Sequence, residues 1–197
     1  MTIADSVRAQ LDRHFGSEPV TASVTFLGTE SVEVLRYTAG GSGSSGPGVY
    51  HYVSVGCSRY PMIDPMEFAP DGVRGPRAEV VLTLSGPTPA GLARAVAVLA
   101  STPAVEGLIL EPGALVDLQQ PLWSGTAFTA VLLGDSDIDE LPLAAPMSPV
   151  RFVSATPITA TEAAWVRLKG APAMREAWEQ DGVDVRDPTR SATSPKS

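Results

Sequence analysis

The spacing of apolar residues predicts an opening helix followed by a series of strands. Ile3, Val7, Leu11 and Phe15 recur every fourth residue, which places them on one face of a helix that Gly16 can terminate. Further along, apolar residues are concentrated in short runs, several of them alternating with polar residues as in a half-buried strand. These runs are 20–27, 31–37, 49–56, 77–84, 127–133 and 150–155. The first two, separated by only three residues, are expected to form a hairpin.

Three further helices are expected after residue 87. Thr88 and Pro89 suit the start of a helix, because threonine accepts hydrogen bonds from free amides and proline fits the first helical position. Thr159 and Glu162 have the spacing of a capping box, which begins a helical pair over 160–169 and 172–180. Strands in hairpins with helices at the ends predict an α+β fold, with a largely antiparallel central sheet flanked by helices.

The 197 residues are expected to form one domain over 1–182, followed by a disordered tail over 183–197. The tail is predicted from its Asp, Pro, Thr, Ser and Lys content. Within the domain, the Gly/Ser-rich stretch 38–48 is expected to be a flexible loop, and 134–149 an acidic, proline-rich loop. Apolar residues make up 44% of the chain, which is enough to build a core.

Charge and cysteine content exclude several classes of function. Aspartate and glutamate number 22 against 14 lysines and arginines, so the net charge of −8 argues against binding to nucleic acid. One cysteine and two histidines exclude a disulfide scaffold and a zinc site built from several thiolates, and no cofactor is expected. With no secretory signal and no apolar segment of about 20 residues, the expectation is a soluble, cytoplasmic protein without a membrane partner.

Two apparent ligand-binding motifs are excluded by the residues around them. The glycines of 41–46 match a dinucleotide fingerprint, but a strand follows them where the pyrophosphate requires a helix N-terminus. Asp135, Asp137 and Asp139 imitate the first ligands of a calcium loop. The sixth position of such a loop should be glycine but is Glu140, and the twelfth should be a bidentate glutamate but is Pro146. An EF-hand is therefore excluded. These carboxylates form either a solvated turn or a contact surface for a basic partner.

A hydrolase is the alternative reading from a different class. Cys57 would be the nucleophile and His51 its base, but six extended residues separate them by roughly 20 Å. A buried, unreactive cysteine is therefore expected. Such an enzyme would use the loop 56–76, with Cys57, Ser58, Arg59 and Asp64 as its groups. No general base within reach can be identified, which argues against catalysis.

Three stretches in order, 56–62, 77–84 and 153–162, resemble the suppressor of fused family in its small bacterial form. They are similar to the family's Gly-Met/Cys-Ser-x-x-Pro-Met segment, its Arg-x-Glu-Leu strand and its Pro-Ile-Thr-x-x-Glu joint. Pro157 is expected to end a strand there, just before the capped helix. The matching residues are expected to be structural: Gly56, Ser58, Pro61, Met62, Glu79, Pro157, Ile158, Thr159 and Glu162.

The resemblance implies protein binding rather than catalysis. In the animal relatives this unit is the N-terminal half of a two-domain clamp on a transcription factor peptide, and small bacterial members resemble immunity proteins. The predicted function is a noncatalytic domain that binds and neutralises a toxin domain, which the net charge suggests is basic; the alternative is a regulator that sequesters a transcription factor or another protein. The expected partner-binding residues are Asp135, Asp137, Asp139, Glu140, Arg59 and Tyr60.

Overall fold

The computed structural model describes residues 1–25, 30–39 and 48–195. Its elements, in chain order, are α1 (Ile3–Phe15), β1 (Val20–Val24), β2 (Val32–Ala39), β3 (Val49–Val55), a 3-10 turn (Cys57–Arg59), β4 (Arg77–Ser85), α2 (Leu92–Glu106), β5 (Leu115–Asp117), β6 (Phe128–Asp135), β7 (Val150–Thr159), α3 (Ala160–Lys169) and α4 (Ala171–Gln180). The six predicted strands are present. The glycine motif at 41–46 and most of the turn between β1 and β2 lie outside the described residues.

The strands form one sheet in the order β1-β2-β3-β4-β7-β6-β5. Neighbours are antiparallel except at the centre, where β4 and β7 run parallel with Arg77 opposite Val150. The predicted α+β class and largely antiparallel sheet are confirmed, as is the β1–β2 hairpin, in which Val20 lies opposite Arg36.

Helices cover both faces of the sheet. On β2, Val32 and Val34 join the apolar cluster under α2, while Leu35 and Tyr37 join the cluster under α1 on the other face. Side chains also alternate between the two faces along β6 and β7. Helices α3 and α4 pack on the same face of the sheet as α1, near the edge formed by β5. The sheet therefore separates side chains that lie beside α1 from those that lie beside α2.

Two of the predicted helix ends are present and one is wrong. Gly16 terminates α1 in the left-handed conformation, and Thr159 with Glu162 forms the expected capping box of α3. The second helix does not begin at Thr88 and Pro89, because the chain continues as a turn to Gly91, whose left-handed conformation (φ 90°) precedes the first helical residue. From there the helix continues to Glu106.

Pro157 does not end its strand. Strand β7 continues through it to Thr159, and Pro157 lies opposite Val131 of β6. The parallel pairing with β4 has already stopped at Ser154, so β7 has an open side at Pro157. A proline is tolerated there because it lacks only an N–H that would have pointed to the open side.

The residues after 182 contradict the predicted disordered tail as far as residue 195. The carbonyl of Arg186 accepts a hydrogen bond from the amide of Ser85 at the end of β4 (2.9 Å). Arg190 donates to the carbonyl of Pro157 on β7 (2.7 Å), and Thr193 is buried. The segment therefore bridges the two strands where their parallel pairing ends.

Candidate partner-binding surface

A buried carboxylate holds the turn that follows β3. Glu79 of β4 is completely buried and accepts hydrogen bonds from the amides of Gly56 (2.9 Å) and Ser58 (3.0 Å) and from the hydroxyls of Ser58 and Ser54. Burial raises the pKa of Glu79, although all these donors act in the opposite direction. With its hydroxyl and amide both committed to Glu79, buried Ser58 holds the turn and is not exposed to a substrate.

Arg77 fixes the same turn from the other side. Its guanidinium donates to the carbonyls of Ser58 (2.9 Å), Arg59 (2.8 Å) and Val73 (3.3 Å). Beside it, the amide of buried Met62 donates to the carbonyl of Pro76 (2.7 Å), which closes the loop 62–76 at its base. The first two family-like stretches, the turn after β3 and the strand β4, thus build one polar anchor together.

Arg59 and Tyr60 lie together at the surface beside this anchor. The Arg59 guanidinium pairs with Glu30 (3.1 Å) and donates to the carbonyl of Ser31 (2.9 Å), and the Tyr60 hydroxyl donates to Glu30 (3.2 Å). Both residues border a groove of about 420 Å³ between this turn and the C-terminal half of α2. Its lining also includes Cys57, Ala100 and Ala104.

The contacts of Cys57 and His51 do not assemble a catalytic pair. Cys57 is half-buried rather than buried as expected, and it packs against the cluster under α2. His51 packs against Phe15 of α1 and hydrogen-bonds Thr83 (2.9 Å). The sheet lies between these two environments. Burial, and then the charge of Glu79, raise the pKa of the Cys57 thiol well above its usual range, which disfavours the thiolate.

The predicted acidic residues lie at the end of β6 and in the bend that follows it, on the exposed side of the chain. Asp135, Asp137 and Asp139 are exposed, while Ile138 between them is buried beneath α1. The loop is also fixed by Gln10 of α1, which donates to the carbonyl of Asp139 (3.2 Å). The loop 134–149 is therefore anchored to the core at this end.

The carboxylates of this segment differ in their neutralisation. Glu140 pairs with Arg151 (3.0 Å), whereas Asp137 lies 3.9 Å from the imidazole of His14 with 91% of its side chain exposed. The side chains of Asp135 and Asp139 make no ion pair within the described residues. Three of the four predicted acidic residues thus present little-compensated negative charge.

Helix α1 connects the two predicted contact regions. Its N-terminal half, with Ala4 and Arg8, borders Arg59 and Tyr60, and its C-terminal half borders the acidic segment. At 1.5 Å per residue, the ten residues from Ala4 to His14 span about 15 Å. A typical protein interface of about 800 Å² per partner is wide enough to include both regions.

The third family-like stretch builds a second buried anchor. Glu162 is completely buried and accepts hydrogen bonds from Trp178 Nε1 (3.1 Å), the Thr193 amide (3.1 Å) and the guanidinium of Arg190 (2.7 Å). Ile158 is buried beside it in the cluster under α3 and α4. Glu162 therefore caps α3 and at the same time fastens the C-terminal segment.

Sequence reasoning missed two exposed residues in the loop that follows Tyr60. Met66 and Phe68 expose 89% and 104% of their reference areas. They lie in a Pro- and Asp-rich loop, where no helical or strand period separates a buried from an exposed apolar residue. The only signal was that large apolar side chains occur among residues typical of a solvated loop.

Within the described ranges, no three or more histidine, cysteine, aspartate or glutamate side chains are grouped as a metal site would require. No helix there combines the length and apolar character needed to cross a bilayer.

Comparison with solved structures shows the fold. A suppressor of fused homolog from Neisseria gonorrhoeae FA 1090 is 18% identical over 98% of both chains, with a TM-score of 0.67. A chain of the Sufu–Fu complex is 15% identical, with 95% of this chain and 90% of that chain covered and a TM-score of 0.68. Drosophila Suppressor of Fused is 15% identical with a TM-score of 0.65; the match covers 96% of this chain but 50% of that one.

Sequence comparison identifies the family. No curated protein matches the chain. The family model of the suppressor of fused protein (SUFU) matches residues 28–191, which include the buried carboxylates Glu79 and Glu162. The chain belongs to the suppressor of fused family.

Proposed function

We propose that this protein is a noncatalytic domain that binds another protein, and that its partner is a basic toxin domain which it neutralises. The observation that carries the proposal is the row of exposed carboxylates at Asp135, Asp137 and Asp139, held on a fixed segment beside α1. Membership in a family with a member solved as the Sufu–Fu complex supports protein binding.

The charge of the surface favours a basic partner. Neighbouring carboxylates repel one another, so the folded state gains nothing from having them together. On association, each would approach a lysine or arginine of the partner, which speeds encounter and opposes acidic competitors. The net charge of −8 extends the same attraction to longer range.

The site favours binding over catalysis. Ser58 and Glu79, which a hydrolase could have used, are buried, and their polar atoms hydrogen-bond each other and so hold a turn. The Cys57 thiol has a raised pKa and His51 lies across the sheet. The chemistry available at the surface is therefore ionic and apolar contact.

The experiment begins with affinity capture and mass spectrometry to identify a partner, which is then purified. Stopped-flow association is measured at low and high salt for the wild type, for Asp137→Asn/Asp139→Asn, and for the control Glu176→Gln/Glu179→Gln. The control removes the same charge from exposed positions on α4. We expect the first variant to associate severalfold more slowly at low salt and to show a flatter salt dependence, with the control close to the wild type.

Neutralisation is tested by coexpression of the captured toxin domain with each variant and measurement of growth. We expect wild-type protein to restore growth. Equal association rates and salt slopes for both variants would exclude the acidic segment as the contact. Capture of a transcription regulator instead of a toxin would replace immunity by sequestration.

A further inference from the structure

The loop that follows Tyr60 exposes an unusual amount of apolar surface. The described residues include nine exposed large apolar side chains, and five of them lie within 60–73. These five are Tyr60, Ile63, Met66, Phe68 and Val73. Single exposed apolar residues are ordinary, but a concentration in one short loop is typical of an interaction site.

The loop backbone is fixed although its apolar side chains are exposed. Asp64 accepts a hydrogen bond from the Met66 amide (2.8 Å), and Asp71 accepts from the Val73 amide (2.8 Å). Pro65 packs so closely on Gly107, at the end of α2, that a Cβ at Gly107 would lie 2.3 Å from the proline ring. A partner would therefore meet side chains whose backbone is already ordered, which lowers the entropic cost of binding.

The groove beside the loop can receive side chains from a partner. Ile63 borders it on the loop side, and Ala100, Ser101 and Ala104 border it on the α2 side. These small residues leave a cavity of about 420 Å³, within the usual range for binding pockets. Tyr60 and Ile63, two of the five exposed apolar residues of the loop, line this groove, so the groove and the start of the loop share one apolar surface. Met66 and Phe68 follow Ile63 along the chain.

The charges of the loop identify the occupant. Asp64, Glu67 and Asp71 stand against Arg74 alone, which gives residues 60–76 a net charge of −2. Arg74 is itself 3.9 Å from Asp71. Anionic lipid would be repelled by this loop, whereas a protein segment with basic residues beside apolar ones would satisfy both its charge and its apolar surface.

We propose that the groove and the loop 60–73 bind an amphipathic segment of the partner protein, with apolar side chains on one face and lysine or arginine at its flanks. Phe68 and Met66 supply the main apolar contacts, and the groove takes an apolar side chain of the partner. This inference rests on the proposed function, because it assigns a second contact to the same basic partner.

The probe is a synthetic amphipathic peptide of about 16 residues built from leucine and lysine, labelled for fluorescence anisotropy. A peptide with glutamate in place of lysine keeps the apolar pattern and reverses the charge. The protein variants are Met66→Ser/Phe68→Ser and the control Val20→Ser/Leu168→Ser, which removes two exposed apolar side chains elsewhere. Thermal melts of each variant establish that it is folded.

We expect the loop variant to bind the lysine peptide at least about tenfold more weakly than the wild type, and the control to bind within about twofold. The glutamate peptide should not bind. Equal affinity of the loop variant and the wild type, or an equal loss in the control, would overturn the proposal. Binding of the wild type to vesicles with about 30% phosphatidylserine would also overturn it, since it would identify a lipid surface.

The same titration separates this inference from the proposed function. Asp137→Asn/Asp139→Asn is measured against the lysine peptide and against the captured partner. If that variant alone loses the partner while Met66→Ser/Phe68→Ser retains it, the apolar surface is refuted and the acidic contact stands. If the loop variant alone loses the partner, the acidic contact is refuted and the apolar surface stands.

Discussion

Replacing Arg190 by methionine removes the cation that faces the buried carboxylate of Glu162 and keeps an unbranched side chain in its place. In the structure the two side chains are 5% and 0% exposed and approach to 2.7 Å. The guanidinium also lies 5.0 Å from the ring centre of Phe128 and 5.4 Å from that of Trp178, both within cation–π range. The substitution therefore leaves the buried carboxylate of Glu162 without its cation.

Removing one partner of a buried ion pair costs about 3–5 kcal/mol. Here we expect about 3 kcal/mol, because water can reach Glu162 once the C-terminal segment detaches. For a chain of this size, that loss lowers the melting temperature by roughly 6–12 °C. Arg186→Met is the matched control in the same segment: its partner Asp184 is half exposed, so we expect a change within about 0.5 kcal/mol.

The effect of Arg190→Met should depend on pH. Burial acts to raise the pKa of Glu162, but hydrogen bonds from Arg190, Thr159 and Trp178 outweigh it and hold the pKa below its ordinary value. A lowered carboxyl pKa stabilises the fold above the ordinary pKa, and this contribution is lost as the pH falls through the lowered value. Without Arg190, burial dominates and the carboxyl takes up a proton at higher pH. The deficit of the variant is therefore full near pH 7 and smaller at about pH 4.

Calorimetric melts of the wild type, Arg190→Met and Arg186→Met at these two pH values provide the test. The reasoning is refuted if the two variants melt alike, or if the deficit of Arg190→Met is the same at both pH values. A wild-type melting temperature for Arg190→Met would mean that the segment after 182 contributes nothing to the fold, as a disordered tail would.

Three further substitutions test the anchors and the cysteine. Thr159→Ala removes a helix cap and should cost about 1 kcal/mol, lowering the melting temperature by about 2–4 °C without changing partner affinity; a weaker affinity at an unchanged melting temperature would contradict this. Glu79→Gln replaces an acceptor of several buried hydrogen bonds and should lower the free energy of unfolding, measured by denaturant titration, by about 3 kcal/mol. A change within about 0.5 kcal/mol, as for a surface substitution, would show that the anchor is unimportant. Cys57→Ala should change partner affinity by no more than a few-fold, and in the wild type a thiol reagent should react with Cys57 far more slowly before unfolding than after it. Rapid reaction in the folded state, or an activity lost with the thiol, would argue for a catalytic cysteine.

Local signals predicted the elements of this fold well, and they failed where distant residues decide the outcome. Alternation identified the strands, and the capping box at Thr159 and Glu162 is visible within four residues. The segment containing Arg190 is polar and proline-rich, so it resembles a disordered tail until its partner 28 residues earlier is known. The sequence around Pro157 predicts the end of a strand, because no local pattern shows that the pairing of β7 with β4 stops before this residue. Phe68 was missed because composition alone cannot separate a buried from an exposed apolar side chain in a loop.

The parallel pairing of β4 and β7 has a consequence for how the chain folds. Strands β1 to β4 form one antiparallel meander and β5 to β7 form a second, each assembled from near neighbours in sequence. Joining them requires Val81 of β4 to meet Ser154 of β7 across about 70 residues, a loop closure that costs roughly 4 kcal/mol of chain entropy. The two halves should form early and dock late, which slows folding. Until they dock, each half presents an apolar edge strand to other chains, so the docking step is where aggregation competes with folding.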